Sequence, residues 1–490
     1  MTDETRHAPK DQVASTLFGR YPALPLFWLA LTAADLAALY VFLGRLLYPL
    51  SPVWVYLLTY GAAFGLYVLA AGVLLPRLSR ASSRSTLPLI LGGAALFRLA
   101  VVFAPPRLST DILLYVWDGR LVMHGINPYH WAPNAYPLRF LRDAVWNGME
   151  YKAYQSIYMP ISQGIFGAAY ACFGSNPVGY KILYTLFDLG VIWLLMLILR
   201  RLGRPLTQVI WYAWCPLPIT EVAMAGHQDI VGVFFLLAAL VLAMRSPRRV
   251  GWPALALVAA ALTKGFALLL LPLFARAHGR TFVAWAVAGL VYLGMPLWVF
   301  LPYFLHGMHQ YLQNVHVNAG LYFWVNLGLT PLTHRWHYTI TEKLSDAAIL
   351  AVVLWSVRRP VLSYPDLLRR TSVVLTVTLL VIPTLFPWYL LWMVIFVPLV
   401  GTRPRYSFVL LSGLSALVYT YYIAQRAYWW TPVAEYVPFF LLLAWEAWSE
   451  KPPSRPTPAE AAPAGMQIIP GPALHLGDVP TPAAGARKKI

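Results

Sequence analysis

Two acidic side chains, Asp111 and Asp118, stand in a short polar segment between long apolar runs and are the first candidates for chemistry. The chain has only 19 Asp plus Glu among 490 residues, so acids this close together are unusual in it. If Ser109 or Thr110 caps a helix that begins at Asp111, then Asp111, Tyr115 and Asp118 lie on one face of that helix. At ~1.5 Å per residue the two carboxylates are about 10 Å apart, too far to act on one bond.

The two acids are therefore expected to have different roles. Asp111, at the start of the helix, can accept a proton from a hydroxyl group and is the predicted general base. The alternative is that it only stabilises the helix dipole. Asp118, with Arg120 two residues later, is expected to anchor the loop by hydrogen bonds and to contribute to substrate binding.

The composition indicates that most of the chain faces lipid. It is 59% hydrophobic and 11% charged, against roughly 25% charged residues in an average soluble domain. At about 20 apolar residues per crossing of a ~30 Å layer, the length predicts an all-α, polytopic membrane protein with about 12 to 14 transmembrane or half-spanning helices. A β-barrel is disfavoured because the apolar runs are continuous. Cys172 and Cys215 predict neither a disulfide framework nor a metal cluster.

The formal charge of +18 is explained by short basic clusters between the apolar runs, following the positive-inside rule, so no nucleic-acid partner is expected. The clusters predict a cytoplasmic N-terminal segment at 1–20 and a polytopic domain at 21–448. Its outer loops are predicted at about 106–177, which includes the first acids, and at about 303–343. The Pro- and Ala-rich tail at 449–490 is expected to be disordered and cytoplasmic.

The apolar runs and their interruptions predict how the polytopic domain is divided. Crossings are expected near 24–47, 53–75, 86–105, 178–199, 207–226, 229–245 and 281–302. The stretch 157–173, interrupted by proline and glycine, is expected to be an interfacial helix on the outer surface. The run 251–274, broken at Thr263-Lys264-Gly265, predicts two short helices whose polar tip brings Lys264 towards the outer side.

Further charged residues in or beside the crossings are candidates for substrate contact. Glu221 is costly in lipid and should face a polar cavity or a partner. His227 and Asp229, at a helix start, either contact substrate or cap that helix. Lys264 either binds a phosphate or extends to the interface. Arg98, inside the third crossing, either pairs with an acid or a phosphate or extends outward.

The second outer loop is rich in histidine and aromatic residues. Most of them are expected to form an interfacial belt, with contact to a sugar or lipid headgroup as the alternative. The histidine spacing forms no zinc motif. The residues concerned are His306, His309, His316, Tyr322, Trp324 and Asn326.

Several motifs resemble, in order, those of one enzyme class. Ser109-Thr110-Asp111-Ile112, Trp117-Asp118-Gly119-Arg120 and Gly125-Ile126-Asn127-Pro128-Tyr129 resemble the first outer loop of GT-C fold glycosyltransferases, in particular bacterial polyprenyl-phosphate-mannose-dependent mannosyltransferases. Glu221 with Gly226-His227-Gln228-Asp229 resembles their second acidic turn. Thr263-Lys264-Gly265 resembles their broken-helix tip, and Phe386-Pro387-Trp388-Tyr389-Leu390-Leu391-Trp392 resembles a late aromatic motif.

The resemblance implies a GT-C type helical bundle that transfers a sugar with inversion. The expected sugar is mannose, the donor a polyprenyl phosphate and the acceptor a glycan or lipid, on the outer face of the bacterial cytoplasmic membrane, with Asp111 as the base. Thr110 stands where a second acid is frequent in this class. A divalent cation (Mg or Mn) is therefore expected only if Glu221 or Asp229 converges on Asp111, and no other cofactor is expected.

Two other functional classes fit parts of the pattern. A transporter or flippase of lipid-linked sugars would use the same charges along a route through the membrane. A non-enzymatic assembly protein would use the aromatic loops to bind a partner. The outer placement predicted for all the candidate residues favours the enzyme, because a transport route would continue to the inner face.

Overall fold

Continuous apolar runs fold into helices because a backbone in lipid must satisfy its own hydrogen bonds. The computed structural model describes residues 24–45, 53–78, 83–106, 108–245, 249–315, 317–333, 336–400, 405–424 and 430–449. These residues form helices and their connections, with no β-strand among them. The chain is an all-α membrane protein, as predicted. The predicted segment 1–20, His316 and residues 450–490 of the predicted tail lie outside the described residues.

The helices differ widely in length, and several consecutive ones are pieces of a single apolar run. The α-helices of the described ranges are α1 Leu24–Arg45, α2 Val53–Val68, α3 Ser83–Val102, α4 Asp111–Met123, α5 Ala144–Gly148, α6 Pro160–Phe173, α7 Pro177–Arg201, α8 Ile210–Ala213, α9 Pro216–Pro218, α10 Asp229–Arg245, α11 Gly251–Ala261, α12 Leu271–His278, α13 Arg280–Leu293, α14 Met295–Val299, α15 Leu301–Asn314, α16 Leu321–Thr333, α17 His337–Val357, α18 Tyr364–Val381, α19 Leu391–Val394, α20 Tyr406–Leu414, α21 Tyr419–Ala424 and α22 Thr431–Ser449. They are joined or extended by π-helical Leu69–Leu74 and Ile219–Met224 and by 3₁₀ turns at Leu75–Arg77, Tyr136–Leu141, Leu206–Val209, Gly265–Leu270, Pro387–Leu390 and Ser415–Val418.

Within the described ranges, four segments are long and apolar enough to cross a membrane, and they coincide with the first four predicted crossings. They are Leu24–Arg45, Val53–Arg77, Ser85–Val102 and Pro177–Arg201. The shortest has 18 residues, which gives about 27 Å at ~1.5 Å per residue. The described ranges also contain shorter apolar helices at Asp229–Met244, Gly251–Ala261, Gly265–His278, Arg280–Leu293 and Tyr406–Tyr421. The count of about 12 to 14 transmembrane or half-spanning helices, some of them broken or short, stays a prediction.

The predicted crossings near 207–226 and 281–302 are wrong as single helices. The first is divided into a 3₁₀ turn, α8, α9 and a π-helical turn, and the second into α13, α14 and the start of α15. Pro216 starts α9, while Pro296 and Pro302 lie in the first turns of α14 and α15. Proline cannot donate the amide hydrogen bond of a helix interior, so each one begins a new piece.

The second outer region, predicted as a loop at about 303–343, is mainly helical. It contains most of α15, all of α16 and the start of α17. Along α15, Phe304 and Gly307 are buried while His306 and His309 are exposed. This three- to four-residue spacing is the pattern of an amphipathic helix, so the polar residues mark one face of a helix and not a loop.

The break predicted around Lys264 is confirmed. Helix α11 ends at Ala261, Lys264 has extended backbone dihedrals (φ −145°, ψ 127°), and a 3₁₀ turn follows from Gly265. Helix α6, the predicted interfacial helix, has 14 residues and is about 21 Å long, too short for a ~30 Å layer. It packs along α4, while α7 lies against α10 and α10 against α11. These packed helix pairs fix the relative positions of the start of α4, the start of α10 and the Lys264 tip.

Close backbone approach between α4 and α6 depends on Gly119. A Cβ atom at Gly119 would lie 2.3 Å from the carbonyl oxygen of Phe166, and backbone cannot move aside without separating the two helices. We expect Gly119→Ala to cost about 1–3 kcal/mol and to lower the apparent melting temperature of the detergent-solubilised protein.

Gly164→Ala on α6 is the matched control. A Cβ atom there meets no described atom within 4 Å, and alanine is a better helix former than glycine. This variant should melt at or above the wild-type temperature. Equal destabilisation by both substitutions would contradict the role of the close α4–α6 contact.

Candidate active site

A cavity of about 160 Å³ lies where the start of α4 meets several later segments of the chain. At ~10–15 Å³ for each water-sized volume, it holds on the order of ten water molecules, which is room for a pyranose ring. Its lining is Leu108, Ser109, Thr110, Asp111, Leu114, Tyr115, Asp118, Pro128, Trp131, Pro133, Glu150, Tyr151, Tyr154, Gln155, Ser156, Ile157, Tyr158, Asp229, Lys264, Tyr311, Phe386, Trp388 and Tyr389. Four of the sequence-predicted site residues, Asp111, Asp118, Asp229 and Lys264, therefore meet in one cavity.

Asp111 is the first residue of α4, as predicted. Its amide donates to the Ser109 hydroxyl at 3.1 Å, while Thr110, at the N-cap position, makes no capping hydrogen bond through its side chain. About 20% of the Asp111 side chain is exposed, and this part faces the cavity. The carboxylate is thus fixed at a helix N-terminus but remains accessible to a ligand.

The protonation of Asp111 is set by opposing effects. Burial raises the pKa of its carboxyl group to about 7, the positive charge of Lys264 opposes this, and the negative charges of Asp229 and Glu150 add to it. The group is therefore close to half ionised at neutral pH. A carboxylate in that range can both take up and release a proton near pH 7.

Asp118 holds the 156–163 segment against α4. Its Oδ2 atom accepts from the Ser156 hydroxyl at 2.5 Å and from the Gln163 amide at 2.8 Å. Burial raises the pKa of Asp118 to about 7 despite these two hydrogen bonds, which lower it. Asp118 thus joins α4 to the 156–163 segment, although one side of it still lines the cavity.

Lys264 and Asp229 form an ion pair at the cavity wall. The Lys264 Nζ atom is 3.2 Å from Asp229 Oδ1, and Trp392 Nε1 is 3.4 Å from the same oxygen. The ammonium group also lies 4.0 Å from the centre of the Tyr389 ring, a cation–π contact. About a fifth of the Lys264 side chain is exposed, so its ammonium group can reach a cavity ligand.

His227 and Glu221 lie behind the cavity and are not part of its lining. The His227 ring stacks on Trp388 with centroids 3.6 Å apart and planes 11° apart. Its Nδ1 atom is 3.9 Å from Asp111 Oδ2, and its Nε2 atom is 3.5 Å from Glu221 Oε2. Burial, and secondarily the charge of Lys264, lower the pKa of His227, so the ring is neutral at pH 7. Both carboxylate oxygens of Glu221 accept from the Tyr419 hydroxyl, at 2.9 and 2.8 Å.

The structure does not bring Arg98 to the cavity. Its Nε atom is 2.6 Å from Asp188 Oδ2, and its Nη1 atom donates to the carbonyl oxygens of Ala94 and Ala213. Both members of the ion pair are buried, and Tyr212 donates to the other oxygen of Asp188 at 2.6 Å. Of the alternatives expected for Arg98, pairing with an acid is the one found, because a buried guanidinium requires an opposite charge.

Arg120, expected to bind substrate, also lies away from the cavity lining. Its guanidinium donates to Asp143 Oδ2 and the Leu141 carbonyl oxygen, both at 2.5 Å, and to the Ser175 hydroxyl at 2.8 Å. Arg120 follows Asp111 by about 2.5 turns at ~3.6 residues per turn, so the two side chains leave α4 on opposite sides. The contacts of Arg120 hold the 141–143 segment and Ser175 together.

The sequence matches the model of the alpha-(1->6)-mannopyranosyltransferase family over residues 17–280, more than half of the chain. The matched model describes the N-terminal domain of that family. The chain belongs to this family. No curated protein and no solved structure matches it. The match confirms the resemblance to mannosyltransferases and supports a mannosyl transfer reaction.

The family match divides the cavity into two parts. The acids and Lys264 come from the matched region, whereas Tyr311, Phe386, Trp388 and Tyr389 come from the chain beyond it. These later residues form an aromatic wall, within which Phe386 and Trp388 stack at 4.4 Å. The late aromatic motif read from the sequence thus meets the acidic motifs across one cavity.

Sequence reasoning missed Glu150 and the tyrosines of the segment that follows it. Glu150, Tyr151, Tyr154 and Tyr158 line the cavity but belong to an irregular segment without helical or strand period. The run of tyrosines at 151, 154 and 158 was the available signal. Tyr151 also has a positive φ of 55°, a strained conformation for a non-glycine residue.

A metal site is not formed by the described residues. Within those ranges no group of three or more His, Cys, Asp or Glu side chains is arranged to hold a metal ion. Asp229 is engaged by Lys264, and His227 lies between Glu221 and Asp111. The divalent cation, which depends on Glu221 or Asp229 approaching Asp111, stays a prediction.

The Arg98 geometry predicts a structural effect without an effect on substrate binding. Arg98→Met leaves Asp188 charged and buried, and breaking such a pair costs about 3–5 kcal/mol. Arg98→Met combined with Asp188→Asn removes both charges and keeps an acceptor for Tyr212. We expect the double variant to recover much of the lost thermal stability.

The KM of the double variant for the sugar donor separates this structural role from a role in substrate binding. Because Arg98 is remote from the cavity lining, the KM for the sugar donor should be unchanged in the folded double variant. A raised donor KM in that variant would return Arg98 to the binding site.

Proposed function

We propose that the protein transfers mannose, with inversion, from a polyprenyl-phosphate donor to a hydroxyl group of a glycan or lipid acceptor on the outer face of the bacterial cytoplasmic membrane. The observation that carries this proposal is the cavity in which Asp111, Lys264 and Asp229 meet an aromatic wall. The family match supports the mannosyl part of the reaction. The apolar helices of the chain support a donor whose lipid tail stays in the membrane.

Asp111 is the proposed base because the other predicted acids are occupied. Asp118 accepts two hydrogen bonds from the outer loop, and Asp229 is paired with Lys264. Asp111 faces the cavity and has a pKa of about 7. In the proposed step its carboxylate takes the proton of the acceptor hydroxyl while that oxygen attacks the anomeric carbon and the donor phosphate leaves.

Lys264 is the proposed contact for the leaving phosphate. An ammonium group has three N–H donors, so Lys264 can keep Asp229 and bind a phosphate oxygen as well. A positive charge at the leaving group stabilises the negative charge that develops there in the transition state. The aromatic wall, including Tyr389 beside the ammonium group, supplies apolar faces for the sugar.

Inversion and the family's linkage together define the donor anomer. The family forms α-(1->6) bonds, and a single displacement inverts the anomeric centre. The proposed donor is therefore β-linked to its phosphate. The proposed arrangement is a GT-C type bundle of about 12 to 14 transmembrane or half-spanning helices, with the cavity at their outer ends.

Asp111→Asn tests the base directly. The amide keeps the size of the side chain but cannot accept the hydroxyl proton, so we expect kcat to fall about 10²- to 10⁴-fold with little change in donor KM. The assay uses purified protein with labelled β-linked polyprenyl-phosphate mannose and a mannose-containing glycan acceptor.

Asp346→Asn is the control, because Asp346 is exposed and pairs only at the surface with Lys343. It should transfer mannose at the wild-type rate. Unchanged transfer by Asp111→Asn would remove Asp111 as the base. No transfer by the wild type from any labelled donor would overturn the proposed reaction and favour a transporter.

The raised pKa of Asp111 predicts the pH dependence of transfer. The base form is the carboxylate, so kcat/KM should rise as pH increases through about 7 and reach a plateau above it. Well below pH 7 it should fall about tenfold for each pH unit. Since Lys264 lowers the pKa of Asp111, Lys264→Met should move the midpoint to higher pH. A flat profile between pH 5.5 and 8.5, chosen as about 1.5 units on either side of that midpoint, would argue against Asp111 as the titrating base.

A further inference from the structure

His227 is a buried side chain whose two polar atoms are left without hydrogen bonds. Among the residues that the structure describes, neither Nδ1 nor Nε2 has a hydrogen-bond partner, and the residue is 0% exposed. Leaving a buried polar atom unpaired costs about 1–3 kcal/mol. A ring that only had to stack on Trp388 could be phenylalanine, so the two nitrogens need an explanation.

The position of the ring between two carboxylates supplies that explanation. Nδ1 faces Asp111 at 3.9 Å and Nε2 faces Glu221 at 3.5 Å. The two distances are somewhat longer than hydrogen bonds, as is common for catalytic contacts before substrate binds. A small displacement of the ring would bring it within hydrogen-bond distance of either acid.

Four features fix this arrangement. Stacking on Trp388 sets the plane of the ring, and the His227 amide donates to the Glu221 carbonyl oxygen at 2.9 Å. Gly226, with φ +85°, makes the turn, and a Cβ atom there would lie 2.5 Å from the Ile112 side chain. The Tyr419 hydroxyl donates to both oxygens of the Glu221 carboxylate and holds it in place.

We propose that His227 relays the proton that Asp111 takes from the acceptor inward to Glu221. This inference rests on the proposed function, in which Asp111 is the base. In the working state Asp111 and Glu221 are carboxylates, and the neutral ring carries its proton on Nε2. After sugar transfer, Asp111 gives its new proton to Nδ1 while the Nε2 proton passes to Glu221. Asp111 returns to the carboxylate form, Glu221 becomes the neutral acid and the ring stays neutral, so protons and charge balance.

The raised proton affinity of Glu221 allows it to accept the proton. Burial raises the pKa of Glu221 to about 8, although the Tyr419 hydroxyl opposes it, whereas the pKa of Asp111 is about 7. Burial thus gives Glu221, like Asp111, a raised proton affinity, so Glu221 can hold the relayed proton. The working state, with both acids ionised, is the main form only above about pH 8.

The relay gives the proton a place to go while substrates fill the cavity. A bound sugar donor and acceptor exclude water from Asp111, so direct release to solvent is blocked until a product leaves. When water re-enters, the proton returns through the ring to Asp111 and then to solvent. Glu221 is therefore a temporary proton store in each turnover that begins with both acids ionised.

Other charged and titratable groups surround both ends of the relay. Lys264, Asp229 and Glu150 act on Asp111, and Lys264 also acts on His227. At the inner end, Tyr419 donates to Glu221 and Tyr56 lies close enough to interact with the same carboxylate. Substitutions confined to His227 and Glu221 leave all of these groups in place.

The first measurement determines the protonation state of the His227 ring in the absence of substrate. Nitrogen-15 NMR of histidine-labelled protein in detergent, with His227→Phe used to assign the signal, should show a neutral ring protonated on Nε2. The spectra are recorded at about pH 9, roughly one unit above the pKa of Glu221, where both acids are ionised. A cationic ring, or one protonated on Nδ1, would overturn the relay, because Nδ1 could not then accept a proton from Asp111.

The second measurement compares the kcat of two variants with that of the wild type at the same pH of about 9. Glu221→Gln keeps an acceptor for Tyr419 but cannot store a proton, and His227→Phe keeps the stacking on Trp388 but cannot carry one. We expect each to lower kcat about 10- to 100-fold with the KM values of donor and acceptor unchanged. Wild-type kcat in Glu221→Gln would overturn the relay.

His278→Phe is the matched control. His278 is another buried histidine with an unpaired Nε2 atom, but its ring lies between Phe274 and Phe282, with centroids 6.1 and 5.8 Å away. This variant should keep the wild-type kcat, which would show that losing a buried imidazole is not in itself damaging. Loss of turnover equal to that of His227→Phe would count against the relay.

Chemical rescue separates proton transfer from packing. In His227→Ala, added imidazole should restore part of the turnover, whereas pyrazole, of similar shape but far weaker basicity, should not. Equal rescue by both would mean that the ring acts only by filling space, which overturns the relay. The failure of the proposed function is distinguishable, since a wild type that transfers no mannose leaves the NMR measurement of the ring intact.

Discussion

The energetic cost of placing carboxylates in an apolar protein governs the structure around the cavity. Three buried acids in or behind the cavity are each matched by a donor from a different segment: Asp118 by Ser156 and Gln163, Asp229 by Lys264, and Glu221 by Tyr419; away from the cavity, Asp188 is matched in the same way by Arg98. Because an unpaired buried charge is so unfavourable, these pairs fix how distant parts of the chain meet. Asp111 differs from them because its carboxylate faces the cavity, where a ligand can reach it.

Helix interruptions are concentrated where the chemistry is proposed. The extended backbone at Lys264, the positive φ of Gly226 and the π-helical turn containing Glu221 all lie around His227 and the cavity. In a membrane protein, irregular backbone is tolerated only where it is enclosed by protein or faces a polar space. The long helices α1, α2, α3 and α7 supply the apolar frame, and the breaks supply the side chains that could react.

Local signals were sufficient for part of this architecture. The helix beginning at Asp111, the break at Lys264 and the helix start at Asp229 were all predicted, because capping residues, glycines and hydrophobic runs act over a few neighbouring positions. The destinations of Arg98 and Arg120 were not predicted, since their partners, Asp188 and Asp143, are 90 and 23 positions away in the chain. The tyrosine-lined loop was missed because irregular segments carry no period, and the second outer region was misread because polar residues also cover one face of a helix.

The two-part construction of the cavity has a consequence for how such enzymes can diverge. The proposed base, Asp111, and the nearby Lys264 come from the region that matches the family, while the stacked rings of Phe386 and Trp388 are contributed more than a hundred positions after Lys264. Reactivity and ligand fit are thereby encoded in separate stretches of one gene. Sequence changes in the later stretch can alter the shape of the cavity that binds the sugar, while Asp111 and Lys264 stay in place.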